Sequence, residues 1–66
     1  MQIVVNGEAR QLDAASNIAD LLNLLGLPHS KIAVERNLEI VPKSAYKEIV
    51  LSDGDRIEIV HFIGGG

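Results

Sequence analysis

Apolar and polar positions change their spacing several times along the chain, and each change marks an element. Gln2-Ile3-Val4-Val5 is short and β-branched, Asn6-Gly7 follows, and Glu8-Ala9-Arg10-Gln11-Leu12 alternates loosely. An Asn-Gly pair between two such runs predicts an antiparallel hairpin, because both central residues of a type I′ turn need positive φ. Ile18, Leu21, Leu22 and Leu25 then recur at i, i+3, i+4 and i+7, which is one apolar face of an amphipathic helix. This helix is expected to run from about Asn17 to Leu25. Ser16 stands where it can accept a hydrogen bond from the first free amides. Gly26 supplies a left-handed residue at the end, Leu27 can fold back onto the last turn, and Pro28 prevents continuation.

Beyond the helix the pattern returns to extended structure. Ile32-Ala33-Val34-Glu35-Arg36 and Glu39-Ile40-Val41 flank Asn37-Leu38, a second candidate hairpin with a weaker turn signal, since Leu disfavours the positive φ that Gly accepts. Pro42 ends that strand or confines it to an edge. Lys43 to Lys47 reads as an irregular or single-turn connection, Glu48-Ile49-Val50-Leu51 as a brief extended piece, and Ser52-Asp53-Gly54-Asp55 as a turn. The last strand, Arg56 to Ile63, places Ile57, Ile59 and His61 on one face and Glu58, Val60 and Phe62 on the other. The order strand, strand, helix, strand, strand, strand predicts an α+β fold: a mixed sheet packed on one main helix, with the first and last strands able to lie side by side. A right-handed crossover is expected wherever strands run parallel.

Composition narrows the function. Sixty-six residues leave room for one small domain, and 47% hydrophobic content makes a core feasible. With one Tyr, one Phe and no Trp, that core is aliphatic and no aromatic platform exists for stacking bases. Six Lys+Arg against nine Asp+Glu give a net charge of −3, which disfavours a nucleic-acid partner and suits a basic protein surface. No cysteine is present, removing disulfides, thiolate nucleophiles, iron–sulfur ligation and most zinc sites. Nothing resembles a secretory signal or a bilayer-spanning run, so a soluble cytoplasmic protein is expected, without a membrane partner. His29 and His61 are too isolated to predict a metal site, and Asp53-Gly54-Asp55 lacks the further ligands of a calcium loop. Asp13, Asp20, Glu35, Glu39 and Glu48 form no acid/base pair and read as solvating charges. No glycine-rich loop joins a strand to a helix, so phosphate binding has no anchor here and any ATP must be held by another protein.

Gly64-Gly65-Gly66 is the one feature that folding does not explain. Three residues without Cβ atoms make a thin tail able to enter a passage closed to other side chains. Its carboxylate is unhindered and becomes reactive once activated, for example by adenylation. Taken alone, the glycines are as readily a disordered terminus or a scar. Two details favour a chemical handle: the tail lacks the serines of flexible linkers, and it follows an apolar strand without a polar spacer. Val60, Phe62 and Ile63 are more apolar than a solvent-facing strand end requires. One helix covers one sheet face, so apolar residues left on the other would form a docking surface, and Val60, Phe62 and Ile63 beside the tail are the candidates.

Several stretches together carry a family resemblance: Ile3-Val4-Val5-Asn6-Gly7-Glu8, Ile18-Ala19-Asp20-Leu21-Leu22, Ala33-Val34-Glu35-Arg36-Asn37, Glu39-Ile40-Val41-Pro42-Lys43, Asp53-Gly54-Asp55-Arg56-Ile57-Glu58-Ile59-Val60 and Phe62-Ile63-Gly64-Gly65-Gly66. In order, spacing and total length the chain resembles the ThiS family of thiamine-biosynthesis sulfur carriers. The resemblance implies a ubiquitin-like β-grasp domain over residues 1–63 and a flexible reactive tail over 64–66. It implies a protein co-substrate rather than an enzyme, with no cofactor of its own. The Gly66 carboxylate would be adenylated by an ATP-dependent activating enzyme, converted to a thiocarboxylate with sulfur from a cysteine desulfurase, and used by thiazole synthase. Gly65 and Gly64 would thread the active sites, while Ile63, Phe62 and Val60 would dock. A molybdopterin-type sulfur carrier, a ubiquitin-like modifier joined through Gly66 to a partner lysine, and a plain interaction domain with an idle tail are the alternatives. Leu38 departs from the glycine often found after the matching Asn, which puts the second turn in question but not the tail.

Overall fold

The two hairpins form where the turn residues place them. In the computed structural model, which describes residues 1–13 and 15–62, strands β1 (Gln2–Val5) and β2 (Glu8–Gln11) pair antiparallel, Val5 opposite Glu8. Asn6 at φ 48° and Gly7 at φ 83° make the turn. Strands β3 (Ile32–Arg36) and β4 (Glu39–Val41) pair in the same way, with Arg36 opposite Glu39. Here Asn37 at φ 51° and Leu38 at φ 70° take the positive angles, so the turn forms despite the unfavourable leucine.

Strand β5 (Arg56–His61) completes the sheet by entering its middle, giving the order β2-β1-β5-β3-β4. It runs parallel to β1, with Val5 beside Ile57, and antiparallel to β3, with Val34 opposite Ile59 and Ile32 opposite His61. The first and last strands are therefore neighbours, as the element order predicts. The last strand is shorter than the expected Arg56 to Ile63: its ladder ends at His61, the Phe62 N–H donates to the Lys31 carbonyl at 2.8 Å, and Ile63 lies outside the described residues.

Helix α1 (Ile18–Leu24) packs its apolar stripe on one face of the sheet. Ile18, Leu21 and Leu22 are fully buried against Ile3, Ile32, Val34 and Ile57 from the three central strands. The N-cap is Asn17, not the expected Ser16. The Asn17 Oδ1 accepts from the Asp20 N–H at 2.7 Å and the Asp20 carboxylate accepts from the Asn17 N–H at 3.1 Å, a capping box with Asp in the third position. Asp20, expected to be a solvating charge, thus has a fixed partner. At the other end Gly26 sits at φ 71°, and the Leu27 N–H donates to the Leu22 carbonyl at 2.9 Å, closing the turn.

The expected extended piece at Glu48–Leu51 is not a strand. A single 3-10 turn (Lys43–Ala45) is followed by a loop that makes one bridge, Val50 to Asn17, and donates the Leu51 N–H to the Ser16 carbonyl at 2.8 Å. With the Ile18 N–H bonded to the Ile49 carbonyl and the Ala19 N–H to that of Tyr46, the loop seats the start of the helix. Tyr46 and Leu51 fill the core beneath it, and burial pushes the Tyr46 phenol above its ordinary pKa.

Candidate docking and transfer site

Central strand β5 precedes the glycine tail in sequence, and its register is held at Arg56 and Ile59 by side chains from the two turns. At β1–β2, the Asn6 Oδ1 accepts from the Ile59 N–H at 2.7 Å and its Nδ2 donates to the Ile59 carbonyl at 3.2 Å. One side-chain amide thus imitates the next residue of β1, extending a parallel ladder whose backbone bonds include the Asn6 N–H to the Ile57 carbonyl at 2.9 Å. At β3–β4, Asn37 donates its N–H to the Arg56 carbonyl at 2.8 Å and accepts from the Arg56 N–H through Oδ1 at 2.9 Å. Both asparagines can do this because the left-handed conformation, which Asn tolerates, aims their side chains across the sheet.

Asp55 anchors the start of β5. The carboxylate is buried and accepts from the Ser52 N–H at 2.8 Å, Arg36 Nε at 2.9 Å and Asn37 Nδ2 at 3.1 Å. Burial pushes the carboxyl upward, but the Ser52 amide bond, the Arg36 and Asn37 bonds and the Arg36 charge together outweigh it and hold its pKa below the ordinary value. Next to it, Asp53 accepts from the Gln2 N–H at 2.7 Å and Gly54 turns at φ 85°. The expected turn is present, but Asp55 is a buried hub rather than a turn residue alone. Its donors lie on β3, the β3–β4 turn and the preceding loop, and no local pattern announces that convergence.

The face of the sheet opposite the helix carries the candidate docking residues. Val60 is 57% exposed and Phe62 55% exposed, so neither belongs to the core. Across β3, Ala33 lies opposite Val60, Glu35 opposite Glu58, and Ile40 of β4 opposite Glu35. Among the described residues neither Glu35 nor Glu58 has an ion-pair partner. Ile63, Gly64, Gly65 and Gly66 lie outside the described residues.

Two open grooves flank the sheet. One of about 270 Å³ runs between the first hairpin, the helix end and β5, with Arg10, Leu27 and His61 on its walls; the other, of about 350 Å³, lies beside Leu12 and Leu24. Neither is lined by Asp55 or Tyr46, the two groups among the described residues whose ionisation is displaced. Among the described residues no three His, Asp or Glu side chains gather as a metal site, and no helix is long and apolar enough to cross a membrane.

Comparison with known proteins agrees with this geometry. The sequence profile of the ThiS family matches residues 3–66. A thiazole synthase of Paramagnetospirillum magneticum is 54% identical over all 66 residues, which span 20% of that protein. The sulfur carrier protein ThiS of Bacillus subtilis is 53% identical over 49 residues, 74% of each chain. The crystal structure of the thiamine biosynthesis protein ThiS from Geobacter metallireducens superposes with a TM-score of 0.86 at 32% identity, covering 100% of both chains. The chain thus spans only about a fifth of the thiazole synthase it matches but the whole of the ThiS structure. Its five-stranded mixed sheet on one helix is the ubiquitin-like β-grasp fold, and the chain belongs to the ThiS family.

Proposed function

We propose that this protein is a sulfur carrier of thiamine biosynthesis, acting as a co-substrate with no catalytic residue of its own. The Gly66 carboxylate attacks the α-phosphorus of ATP in the active site of an activating enzyme and releases pyrophosphate. The terminal sulfur of a cysteine desulfurase persulfide then displaces AMP, which carries one carboxyl oxygen away. A thiol takes the leaving cysteine sulfur into a disulfide and balances the electrons. The resulting thiocarboxylate gives its sulfur to thiazole synthase. Gly64 and Gly65 provide the narrow lead into each active site, while Val60, Phe62 and Ile63 rest against the enzyme surface.

The observation that carries this reading is the match to the ThiS family over residues 3–66, which takes in the whole glycine tail along with the domain. The names of the relatives support the pathway, and the occurrence of a segment 54% identical to this chain within a thiazole synthase supports that partner. The two carrier–enzyme encounters must alternate, so each complex is expected to be weak and exchangeable, at the small end of protein interfaces.

Intact-mass measurement tests it. Incubation with ATP, the activating enzyme and a sulfur donor is expected to add the difference between sulfur and oxygen, located at Gly66 by fragmentation. Deleting Gly65 and Gly66 is expected to abolish the gain and leave the fold unchanged. A chain that gains no mass from an activating enzyme proven on another carrier refutes the proposal.

A further inference from the structure

Leu38 is placed against both its backbone and its surroundings. It holds φ at 70°, where a bulky side chain is strained, and it is 87% exposed. Glycine or asparagine would make the same turn at lower cost, and Leu38 adds nothing to the core. Two residues on, Ile40 is 67% exposed on β4, a sheet edge where an apolar side chain invites unwanted pairing and where charge is the usual protection. Between Ile40 and Val60 on the open face lie Glu35 and Glu58, directly opposite each other and without ion-pair partners among the described residues. Like charges in that position destabilise a sheet. The open face therefore has apolar ends separated by two carboxylates, and each part is disfavoured in the isolated domain.

We infer that Leu38 and Ile40 form a second seat of the docking face, at the end of the sheet away from Phe62, and that its occupant is thiazole synthase. The matching enzyme surface offers an apolar hollow to Leu38 and Ile40 and a Lys or Arg between Glu35 and Glu58. Charge complementarity selects this chemistry: a cation between the carboxylates removes their repulsion and suits a chain of net charge −3. Thiazole synthase is chosen over the activating enzyme because a close relative of this domain occurs within a thiazole synthase polypeptide. The inference rests on the sulfur-carrier reading and adds to it the residues that select the acceptor enzyme.

Calorimetric titration of thiazole synthase with the intact chain and with L38G, L38N and E58Q, alongside thermal melts of each, tests it. L38G is expected to melt no lower than the parent chain, because glycine accepts the turn geometry, yet to bind thiazole synthase ~10-fold more weakly. L38N, polar but at ease in the left-handed region, is expected to do the same. E58Q is expected to melt slightly higher, bind more weakly and show a flatter salt dependence. Unchanged affinity in both Leu38 variants overturns the inference, as does a loss confined to the activating enzyme. If the parent chain binds neither enzyme and acquires no sulfur, the carrier reading itself falls and takes the inference with it.

Discussion

Asp55 shows how much one buried carboxylate can organise. The neighbours Arg36 and Asn37 and the Ser52 amide all donate to it, and its pKa is held below the usual carboxylate range. A carboxyl whose folded pKa is depressed stabilises the fold fully above its unfolded value of about 3.9 and loses that contribution as pH falls towards the folded pKa. Asp55→Asn is therefore expected to flatten the loss of stability between neutral pH and the acid range, as read from urea midpoints at successive pH values. Asp55→Ala is expected to cost about 2 kcal/mol at neutral pH, because Arg36, Asn37 and the Ser52 amide lose a charged acceptor. At this scale the sequence was only partly legible. Asn6-Gly7 announces its own turn, and Gly54 fits the turn read from Asp53 and Asp55. The partners of Asp55 lie up to 19 positions away, beyond any local pattern. The second reach of each turn asparagine, across to β5, is likewise a property of the assembled sheet.

Among the elements, the helix was legible because its apolar period is regular, and its ends were less so. Ser16 and Asn17 are both good caps, and the choice is made by tertiary contacts that no local rule contains. The Asn17 side chain reaches Asp20 in front and the Lys47 carbonyl at 3.2 Å behind, so Asn17 ties the helix to the 43–55 loop. Asn17→Ala is expected to lower the stability of the domain by about 1 kcal/mol, with the loss read from chemical denaturation. Hydrogen exchange is expected to show the Ile18, Ala19 and Leu51 amides opening together, since they knit the helix start to the loop. Ile49, Val50 and Leu51 favour strands, which is why the sequence of Glu48–Leu51 predicts an extended piece. Among the described residues that tendency yields one bridge, Val50 to Asn17, and a seat for the helix.

For the whole molecule, two hairpins and one helix implied a sheet covered on one face and open on the other, with first and last strands able to pair. The insertion of β5 between β1 and β3 emerged only in the assembled sheet. Alternation assigned Val60 and Phe62 to the face opposite Ile57 and Ile59, and their exposure agrees. Phe62→Ala is expected to change folding stability by less than about 0.5–1 kcal/mol, because the ring is half exposed, while weakening enzyme binding by more. A large drop in melting temperature would return Phe62 to the core and remove it from the docking surface. The acid pair and the exposed Leu38 were not legible as one surface, since they come from two strands and a turn. The central place of β5 also has a mechanical consequence. A pull applied through the residues beyond Phe62 runs along β5, so its hydrogen bonds to β1 and β3, and the Asn6 clasp beside them, are loaded together in shear. An edge strand would peel away one bond at a time. A domain loaded in this way is expected to bear tension at that end without unravelling.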